Sequence, residues 1–583
     1  MFSRLKWVAV GLVPAALMAQ GPADWVSRSN ANAMLLIEAR AMFSPESASQ
    51  QGIAALDSEV SSLSAERTAK ARAAGASVRE ELKKRLEAEK NPYVKQDLQI
   101  LIDAADRQIR NIDAGEKVFL PYTDVAGVIF SGENVLLSEQ VAEARHAAAL
   151  IRLKKYTGLE AGYTPLTLQA EARFREKAAN PELLGPARQE VEKDLQNAAA
   201  YVDGIGILLE KNRLKGYEEA LGTLRRQINE YGDFVRREVL PRSRKDFRLP
   251  PEIYRLGLEA YGVDYRPEDL VRMAHQGFLD IQKEMAPIAA RIAKARKLPS
   301  SDYRDVIREL KKEQFAGDQI LPRYEEVLKQ IEEIIRKNRL LTLPERPALI
   351  GIASAAETAQ QPAPHMQPPP LMNNHGERGK FVLPLTTKGA DGAELKYDDF
   401  TFAAAAWTLT AHEARPGHEL QFDSMVEHGV SLARALFAFN STNVEGWGLY
   451  AEWFTLPYMP DEGKLISLQF RLLRAARAFL DPELQSGKVT PEQAMQVLEN
   501  DVVGSKAFAT EEVERFTFRM PGQAVSYYDG FTRILAIRQA AEKALGKNFN
   551  VQRFHDFVLG QGLLPPELLS KAVTEDFLPG QMK

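Results

Sequence analysis

The chain has 583 residues, with 75 basic and 79 acidic side chains and a net charge of −4. This near balance of charge gives no indication of a nucleic acid partner or of an anionic membrane surface as a partner. Because the sequence contains no cysteine, disulfide bonds, thiolate metal ligands and a lipid-modified cysteine are excluded within it. A chain of this length can bury a large core and is expected to divide into two or more lobes.

The first residues are typical of a secretory signal. Two basic residues precede an apolar run from Trp7 to Met18, and Ala19 offers a small residue for cleavage. The run is too short to span a bilayer comfortably, so a signal peptide at residues 1–19 is favoured over an anchor. No second apolar stretch is long enough to cross a membrane. We therefore expect a periplasmic or secreted protein with no stable membrane span after cleavage.

The sequence from Ala23 to about Leu240 has a helical pattern almost throughout. The run from Leu56 to Lys117 is rich in good helix formers, and its apolar residues are spaced three and four apart. The charged residues of this run are interpreted as the solvated faces of amphipathic helices. We expect residues 20–245 to form an N-terminal helical lobe, and residues 246–583 to form a second helical lobe that carries the site described below.

Proline is concentrated between Leu343 and Lys380, and this composition is expected to forbid regular helix. The segments Ala348–Ile352 and Lys380–Leu385 are predicted to be short strands. A long irregular segment inside a compact enzyme is often functional, and this one fits the rim of a substrate cleft and a plain surface loop equally well. Its two histidines, His365 and His375, are interpreted as loop residues rather than metal ligands.

The stretch from Trp407 to Gln421 concentrates the residue types that a zinc hydrolase needs. His412 and His418 are candidate metal ligands, and Glu413 is a candidate general base. The histidines are six residues apart rather than four as in the common HExxH motif, so on a regular helix they would not share a face. The Pro-Gly pair between them is expected to break the helix and to return His418 to the side of His412. The spacing alone leaves metal binding and a chance arrangement both open.

A second stretch, from Asn440 to Phe454, places two carboxylates among apolar and aromatic residues. Glu445 and Glu452 are seven residues apart and therefore share a helix face. Carboxylates rarely enter such surroundings unless they are paired or bound to a metal. A two-histidine zinc site needs a third protein ligand, for which Glu445 is the candidate. Glu452 is the candidate hydrogen-bond partner of a ligating imidazole.

The third stretch, from Arg515 to Gly530, has a Pro-Gly turn that leads into a helix with two adjacent tyrosines. Hydrolysis of an amide generates an oxyanion, which a phenol or a guanidinium can stabilise by hydrogen bonding. Tyr527 is the best placed candidate for this role, and Arg519, Gln523 and Tyr528 are candidates for supporting it or binding substrate. A tyrosine pair in a helix is more often part of core packing, so this stretch has little weight by itself.

Together the three stretches resemble the pattern of the bacterial domain of unknown function 885 family, which runs HExxPGHxxQ, EGWxLYxE and PGQAxSYxxG in this order. The resemblance extends less sharply over most of the mature chain. The matching residues are His412-Glu413, Pro416-Gly417-His418, Gln421, Glu445-Gly446-Trp447, Leu449-Tyr450, Glu452, Pro521 to Ala524, Ser526-Tyr527 and Gly530.

This family looks like a set of zinc peptidases distantly similar to the all-helical gluzincins, among them carboxypeptidase Taq and thimet oligopeptidase. The resemblance implies a mainly α, bilobal fold with a deep cleft and a few short strands near the site. It implies one zinc ion per chain, with His412, His418 and Glu445 as ligands. It also implies Glu413 as the general base and Tyr527 as a hydrogen-bond donor to the transition state.

The chain departs from the family pattern beside the first motif and in one later turn. Glu419 stands where many relatives have a second histidine, Arg415 replaces a residue that is often small or apolar, and Leu484-Gln485 falls where relatives often have a histidine. None of these differences removes a proposed ligand, but they leave open the substrate preference that the resemblance would imply. Arg415 could meet a substrate carboxylate or pair with Glu419, and on a bent helix the pairing is the simpler expectation.

The main hypothesis is an exported zinc metallopeptidase that acts on short, unfolded peptides. Two alternatives stay open: a metal-dependent hydrolase of a non-peptide amide or ester, and a non-catalytic helical binding protein with a vestigial motif. Manganese and cobalt are alternatives to zinc, since a site with two histidines and one glutamate accepts several divalent ions.

Overall fold

The computed structural model describes residues 24–388 and 394–581, so the predicted signal peptide at residues 1–19 lies outside the described residues. The described chain is mainly helical, as the sequence predicts, and its strands are few and short. No helix within these two ranges is both long and apolar enough to cross a membrane.

The first part of the described chain folds into long amphipathic helices. They are α1 (Asp24–Ala41), α2 (Pro45–Gln50), α3 (Ala65–Ala88), α4 (Pro92–Val118), α5 (Val125–Leu137), α6 (Glu143–Thr157), α7 (Leu166–Ala178), α8 (Arg188–Lys211) and α9 (Glu218–Phe234). The Asn91 side chain accepts hydrogen bonds from the first backbone N–H groups of α4, and Pro92 fills its first position. This pairing explains why a helix begins at the Asn-Pro break.

The middle of the chain combines helices with a small sheet. The elements are α10 (Pro251–Ala260), α11 (Pro267–Arg296), α12 (Tyr303–Lys311), α13 (Ile320–Asn338), β1 (Leu349–Ile352), α14 (Ala355–Gln360), β2 (His365–Gln367), β3 (Lys380–Leu383), β4 (Thr386–Lys388) and β5 (Glu394–Lys396). The sheet order is β1-β3-β2, with β1 parallel and β2 antiparallel to β3, while β4 and β5 form a separate antiparallel pair. The two predicted strands are therefore confirmed as β1 and β3.

Two predictions for the proline-rich segment are wrong in detail. The helix α14 forms where regular helix was not expected, because Ser354 and Glu357 make a capping box in a window without proline. His365, expected in a loop, lies in β2, opposite Val382 of β3. Its Nδ1 atom lies 3.0 Å from the carbonyl oxygen of Ala363. The strand pairs with a distant segment, which the local sequence does not specify.

The last part of the chain is again helical and contains the most buried helices. They are α15 (Ala403–Glu413), α16 (His418–His428), α17 (Ser441–Thr455), α18 (Asp461–Gln485), α19 (Pro491–Gln496), α20 (Lys506–Glu514), α21 (Val525–Leu545), α22 (Val551–Leu559), α23 (Pro566–Ala572) and α24 (Leu578–Gln581). Short π-helical segments also occur, among them Ala433–Phe437 between α16 and α17 and Arg515–Arg519 directly after α20. Nearly the whole lengths of α15, α17 and α18 are buried.

Buried apolar residues form two large groups. The smaller core is built from α5 to α9 and nearby residues between Leu120 and Val239. The larger core joins α1, α3 and α4 to α11, α12, α13 and the helices from α15 onward. The candidate functional residues all belong to elements of the larger core. The division of the chain into lobes at residue 245 stays a prediction.

Two glycines allow α17 and α21 to pack with their backbones in contact. A Cβ atom on Gly446 would lie 2.5 Å from the carbonyl carbon of Gly530 and 2.7 Å from its Cα atom. A Cβ atom on Gly530 would in turn overlap the carbonyl group of Thr442. Any larger residue would push the helices apart, so the glycines of the second and third motifs serve this close approach.

Candidate metal centre

The chain breaks between the two histidines of the first motif, as predicted. The helix α15 ends just after His412 and α16 begins at His418, with a cis peptide bond before Pro416. A Cβ atom on Gly417 would overlap the carbonyl group of His412, so glycine is required where the chain turns back. The two imidazole rings are thereby brought to 4.6 Å between centroids, at an angle of 82°. Six-residue spacing is thus compatible with a shared site.

The helix α17 brings a carboxylate to these two rings. Glu445 Oε2 lies 3.5 Å from His412 Nε2 and 3.3 Å from His418 Nε2. One candidate ligand atom from each of the three residues lies within 4.8 Å of the others. Two ligands about 2.0–2.1 Å from a tetrahedral zinc ion lie roughly 3.3 Å from each other, so the donor set fits zinc. Three protein ligands of these types also leave one position for water or substrate.

Glu452 contacts the other nitrogen of the His412 ring. Its Oε1 atom lies 2.7 Å from His412 Nδ1, and its Oε2 atom accepts a hydrogen bond of 2.5 Å from the Thr408 hydroxyl. Burial by itself opposes ionisation, but the Arg474 guanidinium and His412 together lower the pKa of Glu452 below its usual value. An ionised Glu452 accepts the Nδ1–H hydrogen bond and leaves Nε2 of His412 directed toward Glu445.

Two other residues of α17 shape the surroundings of His412. A Cβ atom on Gly448 would lie between 2.5 and 2.9 Å from three atoms of the His412 ring, so a larger residue would displace the ring. The Trp447 indole N–H donates a 3.0 Å hydrogen bond to the carbonyl oxygen of Pro416. The second motif therefore supplies one candidate ligand and also holds the break in the first motif in place.

Glu413 and Glu445 are neighbouring carboxyl groups whose pKa values shift in opposite directions. Burial is the main reason that the pKa of Glu413 rises to about 8, and the charges of Glu445 and Glu452 add to the rise. Burial also opposes ionisation of Glu445, but hydrogen bonds from His412 and His418 hold the pKa of Glu445 well below its usual value. A cation bound by the three ligands would lower the pKa of Glu413 again. Glu413 is thus suited to proton transfer and Glu445 to metal binding.

Tyr527 lies beside the imidazole of His412. The two rings are nearly parallel, with 6.3 Å between centroids and an interplanar angle of 14°. Arg515 donates a 3.3 Å hydrogen bond to the Tyr527 hydroxyl, and the Arg477 guanidinium lies 4.5 Å from the centre of the phenol ring. Burial and the charge of Glu445 raise the pKa of Tyr527, so the phenol keeps its proton at neutral pH. It is therefore available as a hydrogen-bond donor.

The three residues predicted to accompany Tyr527 have different surroundings. The side-chain amide of Gln523 donates to Glu445 Oε1 at 3.4 Å. Arg519 pairs instead with Glu514 at 3.1 Å. The Tyr528 hydroxyl lies against a glycine of α11. The structure thus brings Gln523 to the candidate ligand Glu445, whereas Arg519 contacts Glu514 and Tyr528 contacts α11.

Arg415 is directed away from the candidate ligands. It pairs with Glu419 at 2.7 Å, which confirms the expected pairing, and with Glu332 of α13 at 2.8 Å. Arg415 and Glu419 are 1% and 0% exposed, respectively. These buried ion pairs connect the chain break between α15 and α16 to α13. Arg415 therefore helps to position the break rather than contacting the candidate ligands.

Sequence reasoning missed three buried arginines beside Tyr527. Arg474 and Arg477 come from α18, and Arg515 from the π-helical segment before the Pro-Gly turn. Arg477 pairs with Glu512 and Arg515 with Glu511. A signal was present, because α18 is a largely apolar helix in which arginines recur every three residues from Arg471 to Arg477. Charges that repeat on a buried face indicate an internal ion-pair network.

Two solved structures share the fold of this chain. One is a candidate lipoprotein of unknown function from Shewanella oneidensis, with 19% identity and a TM-score of 0.69 over 95% of this chain and 100% of that chain. The other is a candidate lipoprotein from Colwellia psychrerythraea, with 19% identity and a TM-score of 0.71 over 95% of this chain and 99% of that chain. No curated protein matches the sequence.

The family model described as "Bacterial protein of unknown function (DUF885)" matches residues 45–573. This range includes the broken helix at Pro416, the candidate ligands and the helix with Tyr527. The match agrees with the family that the three motifs indicate. The chain therefore belongs to the DUF885 family.

Proposed function

We propose that this protein is a zinc-dependent metallopeptidase. The observation that carries the proposal is the convergence of His412, His418 and Glu445, whose candidate ligand atoms lie within 4.8 Å of one another. Glu413 lies next to them, with its Oε1 atom 4.0 Å from His412 Nε2. Two imidazoles, a ligating carboxylate and a second carboxyl group for proton transfer are the residue types that zinc-assisted hydrolysis needs.

The chemistry is divided among the residues of the site. A zinc ion held by the three ligands would polarise the scissile carbonyl and lower the pKa of a bound water. Glu413 takes the proton from the attacking water and passes it to the leaving amine. Tyr527 donates a hydrogen bond to the oxygen on which negative charge develops. Arg515 holds the phenol in position, and Gln523 does the same for Glu445.

A cavity beside Arg515 is consistent with a small substrate. Its volume is about 300 Å³, and its walls come from the α8 region as well as from the segment that contains Arg515 and Arg519. Arg515 lines this cavity and also donates a hydrogen bond to the Tyr527 hydroxyl, so one residue connects the cavity with the proposed site. This volume is at the lower end for small-molecule pockets. We place short, unfolded peptides there rather than folded proteins.

Export is also part of the proposal. The predicted signal at residues 1–19 indicates secretion. The two similar solved structures are described as candidate lipoproteins, a class of exported proteins, which supports the same compartment. We therefore place the activity in the periplasm or outside the cell.

The first test is the metal content of the purified protein, measured by elemental mass spectrometry after reconstitution with zinc. We expect about one zinc ion per chain, and much less in His412→Ala and Glu445→Ala. His428→Ala is the matched control, because His428 is an exposed histidine at the end of α16. Absence of bound zinc from the wild type, or equal loss of zinc from the control, would contradict the proposed ligand set.

The second test is a substrate screen on the zinc-loaded protein. Short peptides should be cleaved, and the cleavage should be lost in both ligand variants. Aryl amides and esters form the comparison set, because the same residues could hydrolyse them. Turnover of these compounds without cleavage of any peptide in a broad library would replace the peptidase by a non-peptide hydrolase.

A further inference from the structure

A large cavity lies where α1, α3 and α4 meet the π-helical segment Ala433–Phe437. Its volume is about 680 Å³. Three arginines line it, Arg40, Arg67 and Arg107, and the set of lining residues contains no aspartate or glutamate. We refer to it as the arginine cavity. It shares no lining residue with the cavity beside Arg515.

The three arginines donate to neutral oxygens. Arg40 donates to the Gln108 side chain at 2.8 Å, and Arg67 and Arg107 donate to backbone carbonyl oxygens at 2.8 and 3.3 Å. Within residues 24–388 and 394–581, none of the three forms an ion pair with a carboxylate. Arg110, one turn further along α4, shows the more usual arrangement, since it pairs with Glu259 at 2.9 Å.

This arrangement is electrostatically unfavourable without an anion. Burial, together with the positive charge of Arg107, lowers the pKa of Arg40 to about 10. Burial also lowers the pKa of Arg67 and of Arg107, and the nearby charges of Glu46 and Asp103 offset this effect only in part. Partly buried positive charges with no carboxylate between them repel one another, and a bound anion would relieve that repulsion. The walls of the arginine cavity thus hold three guanidinium groups and no carboxylate.

The arginine cavity also has an apolar side. Phe43 and Phe437 line it, and Phe439 at its edge is 52% exposed. A second cavity of about 450 Å³ shares Arg40, Gln108 and Phe437 with the first, and Arg40 is the sole charged residue that lines it. The guanidinium groups therefore lie beside a space for an uncharged, apolar body.

We propose that the arginine cavity binds an organic anion in which a phosphate or carboxylate group is joined to an apolar body. The guanidinium fork matches the geometry of these anionic groups and forms strong charge-assisted hydrogen bonds with them. The volumes of the two adjoining cavities are in the range of small-molecule sites. The ligand could be a soluble metabolite or the headgroup of a phospholipid, which present the same chemistry. The proposal is independent of the peptidase function.

The test uses phenyl phosphate as the probe, with the full-length mature protein in a calorimetric titration. Arg107→Gln removes one guanidinium, and Thr68→Trp fills the cavity while keeping all three. Arg110→Gln is the matched control, because it removes the same charge from the same helix outside the cavity. Circular dichroism spectra and melting temperatures establish that each variant is folded.

We expect one phenyl phosphate per chain, with binding at least about tenfold weaker in Arg107→Gln and Thr68→Trp. Inorganic phosphate should bind more weakly than phenyl phosphate, because it lacks the ring that would cover Phe43 and Phe437. The control should bind like the wild type. No saturable binding to the wild type, or an equal loss in Arg110→Gln, would overturn the proposal.

A second arm distinguishes the two sources of the anion. Vesicles of phosphatidylglycerol and phosphatidylcholine are sedimented with the wild type and with Arg107→Gln. Vesicle binding that is lost in Arg107→Gln would assign the site to a lipid headgroup. Binding of phenyl phosphate without binding of vesicles would assign it to a soluble anion.

Discussion

Glu413 and Glu133 are both buried carboxyl groups whose pKa rises to about 8, and in both cases burial is the main cause. Glu413 belongs to the candidate metal centre, while Glu133 belongs to α5 in the smaller core. Glu133 is 0% exposed, and neither of its carboxyl oxygens has a hydrogen-bond partner among the described residues. The nearest compensating charge is that of Arg152, which lowers the pKa of Glu133 only in part.

The two regions differ in what surrounds the carboxyl group. Glu413 lies close to His412, His418 and the candidate ligand Glu445, and the Tyr527 ring is nearly parallel to the His412 imidazole. Glu133 is buried in the smaller core, and no cluster of candidate ligand atoms found among the described residues includes it. A raised pKa therefore reports burial, whereas the arrangement of neighbouring donors and acceptors indicates chemistry.

The most direct test of this difference between Glu413 and Glu133 is to make the same substitution at both positions. Glu413→Gln should reduce peptide hydrolysis by about a thousandfold or more, because it removes the group that transfers the proton. Bound zinc should stay near one per chain. Glu133→Gln, the matched control, should keep wild-type hydrolysis. Retained activity in Glu413→Gln would overturn its assignment as the base.

The second experiment measures how the free energy of unfolding depends on the pKa of Glu133. The usual pKa of Glu133 is 4.5, and in the folded protein it is about 8. Between these values the folded chain holds more protons than the unfolded chain, so stability falls as pH rises through this window. The fall is up to about 1.4 kcal/mol per pH unit and levels off above about pH 8. Glu133→Gln has no titrating group at this position, so it should not show this loss of stability.

The measurement is urea unfolding of the wild type and of Glu133→Gln at pH 5 and at pH 8. The variant should gain on the order of a few kcal/mol relative to the wild type between the two pH values. Other buried carboxyl groups affect both proteins alike, so they cancel in the difference. A difference that is the same at both pH values would show that Glu133 does not titrate in this window.

A third experiment concerns the support of the candidate ligands. Glu452→Gln should weaken zinc binding about 10- to 100-fold, because the ionised partner of the His412 Nδ1–H is lost. Competition with a chelator of known affinity gives the value. Unchanged zinc affinity would mean that the His412 ring keeps its orientation without the carboxylate, through Gly448 and the packing of α17 alone.

The smallest effect is expected at Thr408. Thr408→Val removes the hydroxyl that donates to Glu452 Oε2, while Arg474 still favours the ionised carboxylate. We expect a change in zinc affinity of a few-fold, well below that of Glu452→Gln. The same chelator competition measures it. A loss as large as that of Glu452→Gln would assign the main support to the hydroxyl.

The features of the site that could be predicted from sequence are those that depend only on residues close together in the chain. The break at Pro416-Gly417 and the approach of His418 to His412 depend on adjacent residues, and Glu445 and Glu452 were recognisable as carboxylates in an apolar helix. The contacts of Tyr527 with Arg477 and Arg515 depend on how α18 and the π-helical segment Arg515–Arg519 pack against α21, which no local pattern specifies. The sheet pairing of His365 in β2 has the same long-range origin.

Glu133 shows a limit of a different kind. The segment that contains it is apolar, as is the surrounding of Glu445. The same rule about carboxylates in apolar helices would have drawn attention to Glu133 as well. The sequence pattern identifies a buried carboxyl group at both places, and only the three-dimensional neighbours distinguish a candidate metal ligand from an isolated carboxyl group.

The contact between Gly446 and Gly530 couples two parts of the site mechanically. Glu445 directly precedes Gly446, and Tyr527 lies about one helical turn before Gly530. The distance between the Glu445 carboxylate and the Tyr527 phenol therefore depends on where the two backbones touch. A larger residue at either glycine would push α17 and α21 apart and so displace Glu445 and Tyr527 relative to each other. Under the proposed function, we therefore expect differences in substrate preference to arise from residues outside this crossing.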